Sequence, residues 1–420
     1  IFHPLYSFLL LHFPFVLFDH TLCFTLILHD TSSYLSFFTP VSCYASSLGI
    51  RRPPLTEPMW PSYNGLNDAE KDPIFLWKGG PILEHLLAPL VGDASPVTVI
   101  GLCKNAGKTT AMRRLMAELG EERLALTSVG RDGERTDLVT GTEKPDLYLK
   151  TGDLFATARA MLTLCDATLE VVDLTDVMTP LGPLAIFRTL SDGHVQLAGP
   201  SAAGQLRPLT ARFMELGAQR VLIDGAAGRK SLAGAGVEGV ALLCTGASLD
   251  RDMDLVVAET AHTCWLFARK APEDPGLRTA LEGLEARFAL FELDGSPLEL
   301  PLDEAGGPKW NKLPRRPLAV WASGGITDPL LKTLARRGAP TTLITEDATH
   351  VLAGRSALDL FLRNGGQLAV RRELTIAAVT ANPWSAYGWH FEPDKFISAL
   401  RQAIDLPVVN VKEDPYGTDA

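Results

Sequence analysis

The sequence lacks the patterns in which cysteine usually carries structure or chemistry. There is no C-x-x-C pair and no run of cysteine and histidine with the spacing of metal ligands. This argues against a structural zinc site and against a disulfide framework, and it favours a reduced, cytoplasmic chain. The six cysteines are Cys23, Cys43, Cys103, Cys165, Cys244 and Cys264.

An excess of positive charge is also missing. Acidic residues outnumber basic ones by 49 to 39, which gives a formal net charge of -10. Without a basic surface field, nucleic acid is not expected as a partner. Phosphate can still be bound locally, because a few backbone N–H groups and one lysine outweigh the net charge at short range.

No apolar run is long enough to be an ordinary membrane span. The stretch from Pro4 to Leu17 is interrupted by His12 and Pro14, short of the roughly 20 residues that a span needs. Residues 1–58 hold eight of the 18 phenylalanines but only five charged residues, and no basic segment precedes the apolar run. We interpret 1–58 as an extension upstream of the true reading frame, which would then begin near Met59. The alternative is a targeting segment or membrane anchor, and only then is a membrane partner expected.

The remainder of the chain alternates short β-branched runs with helical patterns. This predicts an α/β protein with a mostly parallel sheet covered by helices on both faces, of the P-loop NTPase type. A lead-in helix and linker are predicted in 59–95 and a nucleotide-binding domain in 96–293. A smaller α/β domain is predicted in 314–412, after a stretch rich in proline and aspartate.

Two local predictions concern the middle of the first domain. Residues 151–164 have the pattern of a helix, with Thr151 or Asp153 available as its cap. Residues 184–190 and 194–198 look like the two strands of a hairpin across Ser191-Asp192-Gly193.

The strongest signal for function is the segment Gly101-Leu-Cys-Lys-Asn-Ala-Gly-Lys-Thr-Thr110, between a predicted strand and a predicted helix. Gly107 would let the backbone approach phosphate oxygens, and the helix N-terminus adds partial positive charge. Lys108 would reach the β- and γ-phosphates, and Thr109 would place its hydroxyl on Mg²⁺.

The segment departs from the usual Walker A pattern. Gly101 lies six positions before Gly107 instead of five, and Leu102 stands where glycine is expected. Lys104 could add a second positive charge, as in deviant Walker A loops, although its spacing to Lys108 is one residue shorter than in those loops. The alternative is a basic turn that merely precedes an ordinary helix.

A phosphate site of this kind also needs an acidic residue at the end of a neighbouring buried strand. Asp224, which follows Val-Leu-Ile and precedes Gly-Ala-Ala-Gly, has the Walker B form and is the preferred metal and catalytic carboxylate. Asp132, in a Gly-rich segment at the end of the strand after the predicted P-loop helix, could orient water or bind metal, or it could simply be a turn residue. Arg229 and Lys230 could meet phosphate or be solvated.

One further segment, Asn382 to Gly388, follows a predicted strand. Loops at strand ends are where α/β sheets place ligand contacts, but a plain turn fits this segment equally well.

Seven segments, in this order, resemble the P-loop subunit of the lysine 5,6-aminomutase reactivase. The resemblance extends over roughly residues 95–412 and leaves 1–58 unexplained. The segments are Cys103-Lys-Asn-Ala-Gly-Lys-Thr-Thr110, Thr127-Ser-Val-Gly-Arg-Asp-Gly-Glu134, Thr179-Pro-Leu-Gly-Pro183, Leu197-Ala-Gly-Pro-Ser201, Ile223-Asp-Gly-Ala226 with Arg229-Lys-Ser231, Thr245-Gly-Ala247, and Asn382-Pro-Trp-Ser-Ala-Tyr-Gly388.

The resemblance implies an ATP-dependent, chaperone-like subunit. Together with a MutS-related ATPase subunit, it would restore a cobalamin-dependent lysine 5,6-aminomutase by driving release of the damaged cofactor. It implies Mg²⁺ near Thr109, Asp132 and Asp224, with nucleotide contacts from Lys104, Asn105, Ala106, Gly107, Lys108, Thr109 and Thr110.

The residues also fit a P-loop kinase or ligase of cofactor biosynthesis, similar to dethiobiotin synthetase or to the molybdopterin-dinucleotide P-loop proteins. No N-K-x-D motif is present in the sequence, so the choice between ATP and GTP is left open.

Overall fold

A computed structural model describes residues 86–129, 147–225 and 239–412, together with the backbone of two short strands near the N-terminus. Those two strands, β1 (Phe15–Leu17) and β2 (His20–Leu22), pair antiparallel in a unit that spans Ile1–Asn67. All other elements belong to a second unit, Asp68–Ala420. None of the helices in the described ranges has the length and apolar character that crossing a membrane requires.

The second unit is built around a nine-stranded mixed sheet. Its strand order is β18-β17-β11-β3-β10-β4-β6-β8-β7, and the seven strands from β18 to β6 run parallel. β8 and β7 are antiparallel to their neighbours. The nine strands are β3 (Val97–Gly101), β4 (Leu124–Ser128), β6 (Leu154–Ala158), β7 (Leu169–Thr179), β8 (Gly182–Thr189), β10 (Arg220–Asp224), β11 (Val240–Gly246), β17 (Ile376–Asn382) and β18 (Val408–Asn410).

A second, five-stranded sheet lies between β11 and β17 in the sequence. Its order is β13-β12-β14-β15-β16, with β14, β15 and β16 parallel. A two-stranded pair, β5 (Leu147–Leu149) with β9 (Gly193–Val195), completes the strands of the described part of the unit. The strands of the five-stranded sheet are β12 (Phe288–Phe291), β13 (Pro297–Leu298), β14 (Leu318–Ala322), β15 (Thr341–Thr345) and β16 (Gly366–Val370).

Helices cover both faces of the nine-stranded sheet. Successive side chains of a strand point to opposite faces, and apolar side chains on both faces must be covered. Leu222 of β10 packs in one core with the buried side of α2, whereas Val221 and Ile223 pack in another with α3. A third core joins the nine-stranded sheet, through α4, to the five-stranded sheet. The helices are α1 (Ala88–Val91), α2 (Lys108–Leu119), α3 (Leu206–Glu215), α4 (Met253–Phe267), α5 (Pro275–Leu281), α6 (Asp328–Ala335), α7 (Arg355–Arg363) and α8 (Pro393–Ala403).

The predicted α/β class with a large, mostly parallel sheet is therefore confirmed. The strands predicted to carry Gly101 and Asp224 both form, and they are adjacent in the sheet. The predicted lead-in helix is described only from residue 86 onward, where α1 occupies Ala88–Val91. The predicted 314–412 segment contributes to both sheets, because β17 and β18 return to the nine-stranded one.

The predicted helix at 151–164 is wrong. Its first half is strand β6, between β4 and β8, and its second half is a 3₁₀-helix from Arg159 to Leu164. All of β6 is buried, so the sequence has no polar face that would have revealed a strand. Asp153 does not cap a helix but accepts N–H bonds from Leu124 at 2.9 Å and Lys150 at 3.0 Å, which tie β6 to its neighbours.

The predicted hairpin across 191–193 is also wrong. β8 pairs instead with β7 through the turn after Thr179, and Thr179 lies opposite Gly182, whose φ is +101°. The Pro-Leu-Gly sequence of that turn supplies the proline and the positive-φ glycine that tight turns favour.

We expect the fragment 96–293 to fail to fold on its own. It lacks β17, which pairs with β11 along its length and carries the buried Val379 and Ala381. Removing that strand leaves an open apolar sheet edge. The measurement is thermal unfolding followed by circular dichroism, with the fragment 86–412 as the control. A cooperative transition in 96–293 at the temperature of the control would contradict the expectation.

Candidate functional site

The candidate site lies at the edge of the nine-stranded sheet where the parallel strands end, called here the carboxyl edge. β3 lies between β10 and β11, so strands that follow one another in the sequence lie on opposite sides of it. Such a reversal of strand order opens a crevice at the carboxyl ends, which is the usual place for ligands in open α/β sheets.

The strand register brings the predicted residues to this edge. Asp224, the last residue of β10, lies opposite Val99 of β3 on one side and Ser128 of β4 on the other. Gly101, the last residue of β3, lies opposite Cys244 of β11. The β3–α2 loop, residues 102–107, therefore starts beside the end of the strand that delivers Asp224.

The backbone of the β3–α2 loop turns through two left-handed residues. Asn105 has a φ of +63° and is the sole non-glycine residue with positive φ in the described part of the chain. Gly107, with a φ of +94°, is the residue before the first turn of α2, and it has no side chain that could cap the helix. Left-handed residues next to a helix N-terminus turn backbone N–H groups toward a common point, which is the geometry of an anion site.

The Lys108 side chain lies back over the end of β3. A Cβ at position 101 would stand 3.0 Å from both Cγ and Cδ of Lys108. Any larger residue at 101 would therefore displace the lysine. This explains Gly101 in physical terms although its spacing departs from the Walker A pattern: glycine there gives the lysine its path toward the carboxyl edge.

The other predicted loop residues differ in exposure. Lys104 is exposed, Ala106 is buried, and Thr109 and Thr110 are half-buried in the first turn of α2. The amide nitrogen of Asn105 is buried, and no hydrogen-bond acceptor for it occurs among the described residues. A buried donor of this kind is costly unless it is paired, so it marks a place where an acceptor fits.

Asp132, the second predicted carboxylate, and the basic pair Arg229 and Lys230 lie outside the described residues. The strand that leads to Asp132 is described as far as Val129, whose N–H donates to the Asp224 carbonyl oxygen at 3.0 Å. The Ser128 hydroxyl accepts the Gly199 N–H at 3.0 Å, so the 197–201 loop packs on the end of β4.

Asn382 lies next to the β3–α2 loop, although it is not part of the Gly101–Thr110 segment from which the nucleotide contacts were predicted. It ends β17, and a Cβ on Gly107 would stand 3.2 Å from the Asn382 Cβ. The same hypothetical atom would stand 3.5 Å from a methyl carbon of Val411. The β3–α2 loop is therefore held against the C-terminal strands. The asparagine at a strand end was a signal in the sequence, but its contact with Gly107 depends on the pairing of β17 with β11.

All seven segments of the resemblance lie at the carboxyl edge in their described parts. The turn 179–183 is included, because Leu184 at the start of β8 lies opposite Ala158 at the end of β6. The 197–201 loop joins it through the Ala158 N–H, which donates to the Ala198 carbonyl oxygen at 3.0 Å. Segments spread over some 280 residues of sequence thus converge on one edge of one sheet.

Burial favours the thiol form of the two cysteines near Lys108. Burial raises the pKa of Cys103 to about 11, and the charge of Lys108 only partly offsets it. Burial likewise raises the pKa of Cys244 to about 12. Both thiols therefore stay protonated near neutral pH.

We expect Cys103 to resist alkylation near neutral pH. With a pKa of about 11, its thiolate fraction at pH 8 is about one in a thousand. The alkylation rate should rise about tenfold per pH unit through pH 9 and 10. Iodoacetamide labelling followed by mass spectrometry of the peptide that contains Cys103 measures this, with denatured chain as the control. A rate that levels off near pH 8.5 in the folded chain would contradict the expectation.

The chain was compared with known protein families, curated proteins and solved structures. No protein-family model, no curated protein and no solved structure matches the chain.

Proposed function

We propose that this chain binds the phosphates of a magnesium nucleoside triphosphate at the carboxyl edge and acts as the ATP-dependent subunit of an aminomutase reactivase. The observation that carries the proposal is that the seven segments share the sheet edge that carries Gly101, Lys108 and Asp224. The carboxyl ends of parallel strands are where open α/β sheets bind their ligands.

Phosphate oxygens fit the β3–α2 loop for three reasons. The left-handed Asn105 and Gly107 and the start of α2 direct N–H groups outward. Lys108 reaches toward the same edge over Gly101 and supplies a positive charge. The buried Asn105 amide is a further donor, and Lys104 adds a second cation at the rim of the loop.

Magnesium would be held by Thr109 and Asp224 together with the phosphates. The described residues contain no cluster of three or more His, Cys, Asp or Glu side chains that could hold a metal ion. Mg²⁺ bound with nucleotide needs no such cluster, because it takes one or two protein oxygens and fills its shell with phosphate and water. The bound nucleotide would supply the phosphoanhydride whose hydrolysis is coupled to the partner, and Lys108 would stabilise charge on its terminal phosphate.

The remodelling role rests on the resemblance, with support from the arrangement of the edge. The loops 179–183, 197–201 and 382–388 lie at the same sheet edge as the candidate phosphate site, at the ends of strands well separated in the sheet. Loops that touch a γ-phosphate can change conformation with its presence, and a partner that prefers one conformation is then driven by the nucleotide. The proposed partners are a MutS-related ATPase subunit and a cobalamin-dependent aminomutase.

Replacing Lys108 with alanine should weaken binding of Mg·ATP by about 10- to 150-fold, the value of one charged hydrogen-bonding group. Isothermal titration calorimetry on the full chain measures it. Lys332→Ala, which removes an exposed lysine on α6 that pairs with Asp328, is the matched control and should leave the affinity unchanged. If wild type bound no Mg·ATP, or if Lys108→Ala and the control behaved alike, the phosphate site would be refuted.

ATP turnover by the wild-type chain should rise when the aminomutase and the second ATPase subunit are both added, and Lys108→Ala should abolish the rise. The readout is phosphate release, together with recovery of aminomutase activity after inactivation. Phosphoryl transfer from ATP to a small acid by the chain alone would instead establish the kinase or ligase alternative. Turnover indifferent to both partner proteins would refute the reactivase role.

A further inference from the structure

The loop that follows β17, called the platform here, includes residues 384–390 and is held in place by several hydrogen bonds. Ser385 donates its N–H to the Trp389 carbonyl oxygen at 2.8 Å, and Trp384 pairs with His390 in an antiparallel bridge. The Trp389 indole donates to the Ala247 carbonyl oxygen at 2.8 Å, and the Ser248 hydroxyl accepts the Ala386 N–H at 3.2 Å. These bonds fix the loop to the end of β11, beside the β3–α2 loop.

The platform presents a ladder of flat groups. The Arg251 guanidinium lies over the Trp389 ring, 4.7 Å from its centroid. Tyr387 stacks on the same Trp389 ring, with centroids 5.5 Å apart and planes inclined by 23°. Tyr387 is nevertheless 41% exposed, and Trp384 on the same loop is 43% exposed. Aromatic rings held rigidly but left open to solvent suit another flat ring that stacks on them.

The platform lies within reach of the candidate phosphate site. Asn382, which contacts Gly107, is two residues before Trp384 and five before Tyr387. An extended chain spans at most about 7 Å over two residues and about 18 Å over five. Residues 385–388 form a turn in which the Gly388 N–H donates to the Ser385 carbonyl oxygen at 3.4 Å, so the separation over five residues is below the extended limit. A nucleoside triphosphate spans a comparable length from its terminal phosphate to its base.

We propose that Tyr387, together with Trp384 of the same loop, stacks on the purine base of the nucleotide whose phosphates bind the β3–α2 loop. The inference rests on the proposed function and assigns the base side of the same site. Stacking uses the π-face that every base has, so it binds a base without reading its hydrogen-bonding edge. This agrees with the absence of an N-K-x-D motif from the sequence, and we expect ATP and GTP to bind with similar affinity.

The test compares ATP with inorganic tripolyphosphate, which has phosphates but no base. On the full chain with Mg²⁺, Tyr387→Ala should weaken ATP binding by about 5- to 150-fold, the usual effect of removing a stacking ring. Binding of tripolyphosphate should stay unchanged. Tyr387→Phe, which keeps the ring, should bind ATP like wild type. The control Tyr148→Ala removes a somewhat more exposed tyrosine from β5 and should change neither affinity.

Three results would overturn the inference, and a fourth is decided by a second variant. If Tyr387→Ala bound ATP and supported reactivation as wild type does, the phosphate site would stand without the base platform. If Tyr387→Ala bound ATP as wild type does but lost reactivation of the aminomutase, the aromatic loop would be a surface for a protein partner. If wild type bound neither ATP nor tripolyphosphate, the proposed function itself would fail. A Tyr387→Ala variant that loses both ligands equally has a disturbed loop, and Trp384→Ala must then lose ATP selectively or the inference is rejected.

Discussion

Lys108 crosses the last residue of β3 with two of its methylene carbons 3.0 Å from where a Cβ of Gly101 would stand. On the other side of the same loop, Gly107 touches Asn382. These close approaches hold the β3–α2 loop between the strand that precedes it and the strand that returns from the C-terminal region. The direction of the lysine and the place of the α2 N-terminus follow from this confinement, because a side chain at either glycine would displace the lysine or push the loop outward.

The return of β17 and β18 to the nine-stranded sheet makes the confinement possible. The chain leaves that sheet after β11, builds the five-stranded sheet, and comes back so that β17 pairs with β11 from Ala241 to Gly246. One apolar core joins the two sheets through α4 and α8. Asn382 and Val411 pack against Gly107, so under the proposed function a shift of the β3–α2 loop on phosphate binding would be passed to the C-terminal elements. A nucleotide could thus bias the conformation of regions distant in sequence without a flexible linker.

The sequence predicts the elements that carry the candidate site, because the residues within each element are enough to identify it as a strand or a helix. β3 and β10 are short buried apolar runs ending at a glycine or an aspartate, and α2 begins directly after Gly107. The sequence of β6 predicts a helix wrongly. Both faces of this strand are buried, so its residues do not alternate between polar and apolar as those of a half-exposed strand do. The contact of Asn382 with Gly107 could not be predicted either. It depends on the pairing of strands about 140 residues apart, which no local pattern encodes.

The most direct measurement of the central claim is a crystal structure of the full chain with Mg²⁺ and a non-hydrolysable ATP analogue. The account predicts the phosphates against the backbone N–H groups of residues 105–109, with the Lys108 ammonium on the terminal phosphate and Mg²⁺ between Thr109 and Asp224. A nucleotide bound elsewhere, or a β3–α2 loop that stays free of phosphate at saturating analogue, would contradict it.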